Sequence, residues 1–304
     1  MKATDWLRLA RPRQWPKNLL LFAGVLFAGD YRSAPSLWRR GDYLGLLREP
    51  ALACLGFAAF VLLSSSVYAL NDLRDAAEDR QHPVKRHRPV AAGKVSRTEA
   101  GLLAVVWALL GLWLGSYLGP AFLVLAVAYL VLSTLYSAWT KHQVILDVLS
   151  LAAGFVLRAA AGAEAVSVRI SAWLLVCSTF LALFLGLVKR RAELAALPEN
   201  TRAARATLRH YSLPLLDQMI AVVASATLVA YFLYAASAHS DRLGPWMLLT
   251  IPFVLYGILR YLYLAHQKGL GAAPEQVLLG DRALQVDLVL WVLCSAAIVA
   301  LARP

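Results

Sequence analysis

The chain has 304 residues, 60% of them hydrophobic and only 16% charged, with a formal net charge of +12 and a mean hydropathy of +0.61. Soluble domains carry about 25% charged residues, so this composition excludes a soluble protein and, with it, the usual nucleic-acid reading of a basic chain. The apolar residues come in blocks of roughly 20, the length that crosses about 30 Å of hydrocarbon as a helix, and nothing alternates with the period of a membrane barrel.

The pattern predicts one membrane-embedded all-α domain over 1–304, with nine spans near 15–31, 50–70, 99–118, 120–138, 144–164, 170–188, 213–237, 244–265 and 283–302. The first is the weakest, with an uninterrupted apolar core only from Leu19 to Ala28. It reads as a retained helix, since no small-x-small cleavage site with a soluble domain follows. A short interfacial segment bearing Trp6, Arg8, Arg11 and Arg13 precedes it. Lys17 reads either as an interfacial anchor or as a ligand for a lipid phosphate.

The second span runs into Asn71-Asp72-Leu73-Arg74-Asp75-Ala76-Ala77-Glu78-Asp79-Arg80. On a continuous helix, Asp72, Asp75 and Asp79 would share one stripe. Three carboxylates in a row repel one another unless a cation sits among them. Oxygen ligands suit Mg²⁺, which keeps several waters and is completed by substrate phosphates. A solvated acidic helix end balanced by arginines is the plainer alternative. The next segment, His82-Pro-Val-Lys-Arg-His-Arg-Pro89, is expected to be extended because proline at each end disfavours helix. Lys85 and Arg86 read as phosphate ligands; Arg88 and Lys94 are left to general attraction for lipid headgroups.

Further along, Lys141 precedes the fifth span, Asp147 opens it and Arg158 lies within it. A charge deep in a span faces a cavity or a partner; for Arg158 the choices are an anion ligand or a pair with Glu164. Arg260, near its helix end, reads as structural. Lys189, Arg190, Arg191 and Glu193 close the sixth span. Their plain explanation is a helix-end cation set with a Lys189–Glu193 pair; the functional one is that Lys189 and Arg190 bind donor phosphates and Glu193 orients them. Tyr68 and Tyr136 read as interface aromatics that could line a pocket.

With the N-terminus inside, 21 basic residues fall in inner segments and seven in outer ones. That split predicts that the acidic cluster faces the cytoplasm; the membrane is expected to be a bacterial-type inner one. Cys54, Cys177 and Cys294 stand singly in apolar spans and read as packing residues. Small residues on the spans permit a homo-oligomer without requiring one.

Asn-Asp-x-x-Asp-x-x-x-Asp after a membrane helix, followed by Pro-x-Lys-Arg-x-Arg-Pro, resembles the UbiA-type intramembrane prenyltransferase superfamily. Arg11-Pro-Arg-Gln-Trp-Pro-Lys-Asn18, the 71–93 stretch, Gly154-Phe-Val-Leu-Arg158, Lys189-Arg190 with Glu193-Leu194, and Gly280-Asp281-Arg282 are similar to its decaprenyl-phosphate 5-phosphoribosyltransferase branch. The second aspartate-rich motif usual in aromatic prenyltransferases is reduced here to Asp147, with Leu at position 151.

The resemblance implies Mg²⁺-dependent transfer of 5-phosphoribosyl from phosphoribosyl diphosphate to a polyprenyl phosphate, releasing pyrophosphate, for cell-wall arabinan precursors. Asp72, Asp75 and Asp79 would hold the metal. Lys17, Tyr68, Asn71, Lys85, Arg86, Tyr136, Lys141, Asp147, Arg158, Lys189, Arg190 and Glu193 would bind substrates. The alternative is prenyl transfer from a polyprenyl diphosphate to an aromatic acceptor. A transporter would carry its acids at the bilayer centre rather than its edge.

Overall fold

Lipid gives backbone N–H and C=O groups no partner, so each apolar block must satisfy its own as a helix. The computed structural model describes residues 2–22, 43–81, 85–168, 172–196, 210–237 and 244–301, and these contain no strand. The helices are α1 (Lys2–Ala10), α2 (Tyr43–Arg74), α3 (Ala76–Gln81), α4 (Arg97–Ser116), α5 (Pro120–Ala138), α6 (Leu146–Ala165), α7 (Ala172–Ala195), α8 (Leu213–Ser237), α9 (Ile251–Gln267), α10 (Pro274–Gly280) and α11 (Arg282–Leu301). Short 3-10 helices cover Pro12–Phe22, Lys85–His87, Thr140–His142 and Gly244–Thr250.

Among the described residues, six helical segments are long and apolar enough to cross a membrane: Leu47–Arg74, Arg97–Ser116, Pro120–Ala138, Leu146–Ala165, Leu213–Ser237 and Trp246–Gln267. The expected spans at 170–188 and 283–302 coincide with α7 and α11. The first, 15–31, lies outside the described residues beyond Phe22. Its described part is a 3-10 helix carrying Pro16, which has no N–H for an α-helical ladder.

The chain divides into two compact units, Met1–Trp139 with Gly154–Ile170, and Thr140–Ala153 with Ser171–Pro304. In the first, α2 packs along α4. Ser96 starts α4 with a capping box, its hydroxyl accepting from Glu99 N at 3.1 Å while its own N–H reaches Glu99 Oε2 at 3.0 Å. The core gathers Phe60 and Leu63 of α2, Phe122 and Tyr129 of α5, and Leu21. Phe60 and Phe122 meet edge to face at 5.8 Å.

Residues 2–22 form an arm seated on this unit. Trp15 Nε1 donates to Ser65 Oγ at 3.3 Å and Asn18 Nδ2 to Ser64 Oγ at 3.2 Å. The seat is tight: a Cβ at Gly162 would overlap the backbone of Leu21, so only glycine allows the approach. The second unit is held by Val148, Phe184, Val188, Leu216, Ile220 and Tyr261. A smaller cluster of Ala235, Met247 and Ile298 lies beside a polar chain in which Trp291 Nε1 donates to Tyr231 Oη at 2.8 Å.

Candidate active site

The first unit brings the two outer acids of the 71–80 stretch together. Helix α2 ends at Arg74, Asp75 forms a bend, and α3 resumes at Ala76. Backbone bonds carry the turn across the break, Asp75 N to Asn71 O at 2.9 Å and Asp79 N to Asp75 O at 2.8 Å. Asp72 is 1% exposed and Asp79 2%, whereas Asp75 is only partly buried. The continuous stripe of three acids is corrected to a buried pair with Asp75 at the bend. Among the described residues, no three acidic, His or Cys side chains gather as a metal set.

Two arginines face the pair. Arg88 Nη1 lies 2.6 Å from Asp79 Oδ2 and 3.5 Å from Asp72 Oδ1. Arg11 pairs with the same Asp72 oxygen and lies over the Tyr68 ring, 5.1 Å from its centroid. Lys85 Nζ is 4.0 Å from Asp79 Oδ1. Arg86 is exposed and turned to His87, with 3.4 Å between Nε and Nε2. Arg86 thus lies outside the carboxylate pair, and Arg88 is the arginine that stands against it.

The reason is the loop. Residues 85–95 are not extended: Arg88 N bonds Lys85 O at 2.9 Å, Ala92 N bonds Arg88 O at 2.8 Å and Lys94 N bonds Pro89 O at 2.9 Å. Proline suits the first position of such a turn, where its missing N–H has no bond to make. The turn aims Arg88 inward and leaves Arg86 outside. Arg11, read from sequence as an interfacial anchor, has φ of 53°. That left-handed residue joins α1 to the 3-10 arm, a geometry that residue type alone did not signal.

The residues fit a divalent cation. Asp72 Oδ2 is buried and has no hydrogen-bond partner among the described residues, so one carboxylate lone-pair face is left open. With Asp79 buried beside the shared Arg88, it offers the hard oxygen donors Mg²⁺ takes, a site completed by substrate phosphate. Asn71 lies one residue away, its Oδ1 accepting from the Ser137 hydroxyl. Tyr136 is half-buried next to that serine.

Arg158 belongs to the first unit and is 6% exposed. Its Nε donates to Asn18 Oδ1, Nη1 to Gly154 O and Nη2 to Tyr129 Oη, each at 2.8 Å. The Tyr129 and Phe155 rings lie under it, with centroids at 4.6 Å and 5.5 Å. Glu164 is not its partner, which removes the structural pair considered from sequence. Lys17 is next to Asn18 in the arm and half-buried.

The second unit holds a separate cluster. Asp147 is fully buried and accepts from Arg190 Nε at 2.7 Å and from Tyr211 Oη at 3.2 Å. Arg190 Nη1 also donates to Glu193 Oε2 at 2.8 Å, so the expected Lys189–Glu193 pair gives way to Arg190–Glu193. Tyr211 Oη accepts from Ile145 N at 2.7 Å. Burial pushes the Tyr211 phenol up to about 12, so it is a neutral donor to Asp147. Lys189 is half-buried on the same helix end, and Lys141 lies in the Thr140–His142 turn. Arg260, read as structural, is bonded twice to Asp281, Nη2 to Oδ2 at 2.8 Å and Nε to Oδ1 at 3.3 Å. Asp281 also caps α11 by accepting from Leu284 N at 2.9 Å.

Residues 43–279 match the model of the UbiA prenyltransferase family. The chain is 34% identical over 300 residues to the decaprenyl-phosphate phosphoribosyltransferase of Mycobacterium tuberculosis, covering 97% of this chain and 94% of that protein. It is 33% identical over 299 residues to the Corynebacterium glutamicum protein of the same name, covering 96% and 86%. A solved UbiA homolog from Archaeoglobus fulgidus, bound to GPP and Mg²⁺, superposes with a TM-score of 0.72 at 17% identity, over 97% of this chain and 99% of that one.

Proposed function

The chain belongs to the UbiA prenyltransferase family, and on that premise we propose that it transfers 5-phosphoribosyl from phosphoribosyl diphosphate to a decaprenyl-type polyprenyl phosphate, releasing pyrophosphate. It is a multi-pass membrane protein. The choice of donor and acceptor rests on one observation, near full-length similarity to relatives bearing the phosphoribosyltransferase name. The buried Asp72–Arg88–Asp79 group supports the chemistry. The excess of basic residues in inner segments supports a cytoplasmic active face, in a bacterial-type inner membrane. The product would feed cell-wall arabinan precursors.

In this reading the bond from ribose C1 to the diphosphate oxygen breaks, and the electron pair leaves with pyrophosphate. A lipid phosphate oxygen forms the new bond to C1. That nucleophile is already anionic near neutral pH, so the chain supplies no general base. Asp72 and Asp79, with Asp75 at the bend, would hold Mg²⁺, which when bound would neutralise the leaving oxygens. Arg11, Arg88 and Lys85 would turn from the carboxylates to the incoming phosphates, exchanging one charge-assisted bond for another. Electrostatic contacts of this kind are strongest in a water-poor cleft. Asn71, Tyr68 and Tyr136 would border the donor, and Lys17 would meet the lipid phosphate. In the second unit, taken by itself, Lys141, Lys189 and Arg190 would bind phosphate, with Asp147 and Glu193 orienting Arg190. Arg158 acts here through Asn18 rather than on substrate.

Purified protein in detergent should consume labelled phosphoribosyl diphosphate with polyprenyl phosphate, lose turnover in EDTA and regain it with Mg²⁺. Asp72→Ala should remove turnover while the protein stays folded. Consumption only of prenyl diphosphate with a hydroxybenzoate would overturn the substrate choice.

A further inference from the structure

Helices α9 and α11 frame a groove of about 510 Å³ in the second unit, and its lining includes none of the residues assigned to transfer. Pro252, Phe253, Val286 and Leu290 give it an apolar bed, and two charged residues, Arg282 and Asp287, also line it. Arg282 is exposed at the first position of α11 and carries no ion pair among the described residues. Its neighbour Asp281 is already committed to Arg260.

Asp287 is more unusual. It lies within the last apolar helix, five residues past Arg282 and about 7.5 Å deeper along the axis. Among the described residues it has no hydrogen bond and no ion pair, although its carboxyl approaches the opposite helix closely. A Cβ on Gly257 would come 3.1 Å from Asp287 Oδ2. An ionisable side chain at membrane depth is costly and marks a functional contact by default. A carboxylate with no cation paired to it is costly at such a place, and the protonated form of the acid is an O–H donor.

A cation at the rim, an O–H donor one and a half turns deeper and an apolar trough between them match an acyl phospholipid read from the head down. We propose that the α9–α11 groove binds one anionic phospholipid, with Arg282 on its phosphate, Asp287 donating to an ester carbonyl and an acyl chain in the trough. The acyl ester separates this ligand from a polyprenyl phosphate, which has a phosphate but no carbonyl for Asp287. The net negative headgroup separates it from a zwitterionic lipid, whose headgroup cation opposes Arg282.

The test is native mass spectrometry of the full chain in mild detergent, titrated with dioleoyl phosphatidylglycerol, dioleoyl phosphatidylcholine or polyprenyl phosphate. One retained phosphatidylglycerol is expected, at least fivefold above phosphatidylcholine. Arg282→Gln should cut that occupancy at least fivefold, Asp287→Leu should cut it comparably, and Asp287→Asn, which keeps a donor, should retain most of it. Thermal midpoints of the variants check that each is folded. Four outcomes would overturn the proposal: equal binding of the two phospholipids, wild-type occupancy in both disruptive variants, displacement of phosphatidylglycerol by polyprenyl phosphate, or a wild-type dimer that Asp287→Leu converts to monomer. The readout uses no turnover, so its failure leaves the transferase reading untouched.

Discussion

Asn18 Oδ1 accepts a 2.8 Å hydrogen bond from Arg158 Nε, 140 residues along the chain, with both side chains buried. A guanidinium in an apolar interior needs its N–H groups occupied, and here neutral acceptors and two aromatic rings do it without a carboxylate. Asn18→Ala should therefore destabilise the protein by about 1–3 kcal/mol, the cost of leaving a buried donor unmet. Glu164→Gln should leave stability unchanged. Unfolding midpoints in detergent compare the two, and the opposite ranking would return Arg158 to a Glu164 pair.

Arg88 and Arg86 differ by two positions and face opposite ways. Arg88→Gln removes the cation shared by Asp72 and Asp79, and turnover should fall at least tenfold, about 1.4 kcal/mol or more in the barrier. Arg86→Gln should stay within twofold of the parent. Steady-state assays over a range of phosphoribosyl diphosphate read both, and equal losses would remove the distinction drawn from the loop.

Tyr211→Phe removes one hydroxyl that serves two groups, the Asp147 carboxylate and the Ile145 N–H. Ile145 has φ of 70°, costly for a β-branched residue. The phenylalanine variant should lose about 1–3 kcal/mol. Adding Ile145→Gly should recover part of that, because glycine takes positive φ freely. Absence of any recovery in thermal midpoints would mean that the strained backbone carries none of the cost.

Asp281 supplies a pH prediction. Its bonds from Arg260 and from Leu284 N hold the carboxyl below the ordinary carboxylate range. A depressed folded-state pKa contributes stability that is present above the unfolded value, about 3.9, and is lost as pH falls through the folded one. Asp281→Asn keeps a capping oxygen but loses the charge. The variant should melt below the parent at pH 7, and the gap should close as pH drops below about 4. A gap that stays constant with pH would assign the effect to the cap.

The amphipathic logic of the spans and the acids at the end of the second one were readable from residue order, because hydropathy and helical spacing are local properties. Arg88 was not, because its direction depends on a turn whose bonds converge on the carbonyls of Arg88 and Pro89. The same holds for Arg190. Helical spacing permits Glu193 to pair with Lys189 or Arg190, and the buried Asp147, over 40 residues away, selects the arginine. For Arg158, the nearest acid in sequence is six residues on, roughly 240° around the helix. The true partner comes from the other end of the chain.

Gly162 gives this architecture a mechanical handle. Because its bare α-carbon lies against the main chain of Leu21, a single added methyl acts as a wedge beneath the N-terminal arm and alters no charge or hydrogen-bonding group. Arg11 rides on that arm, so its grip on Asp72 can be loosened from a distance, by carpentry rather than by changing the chemistry of the site.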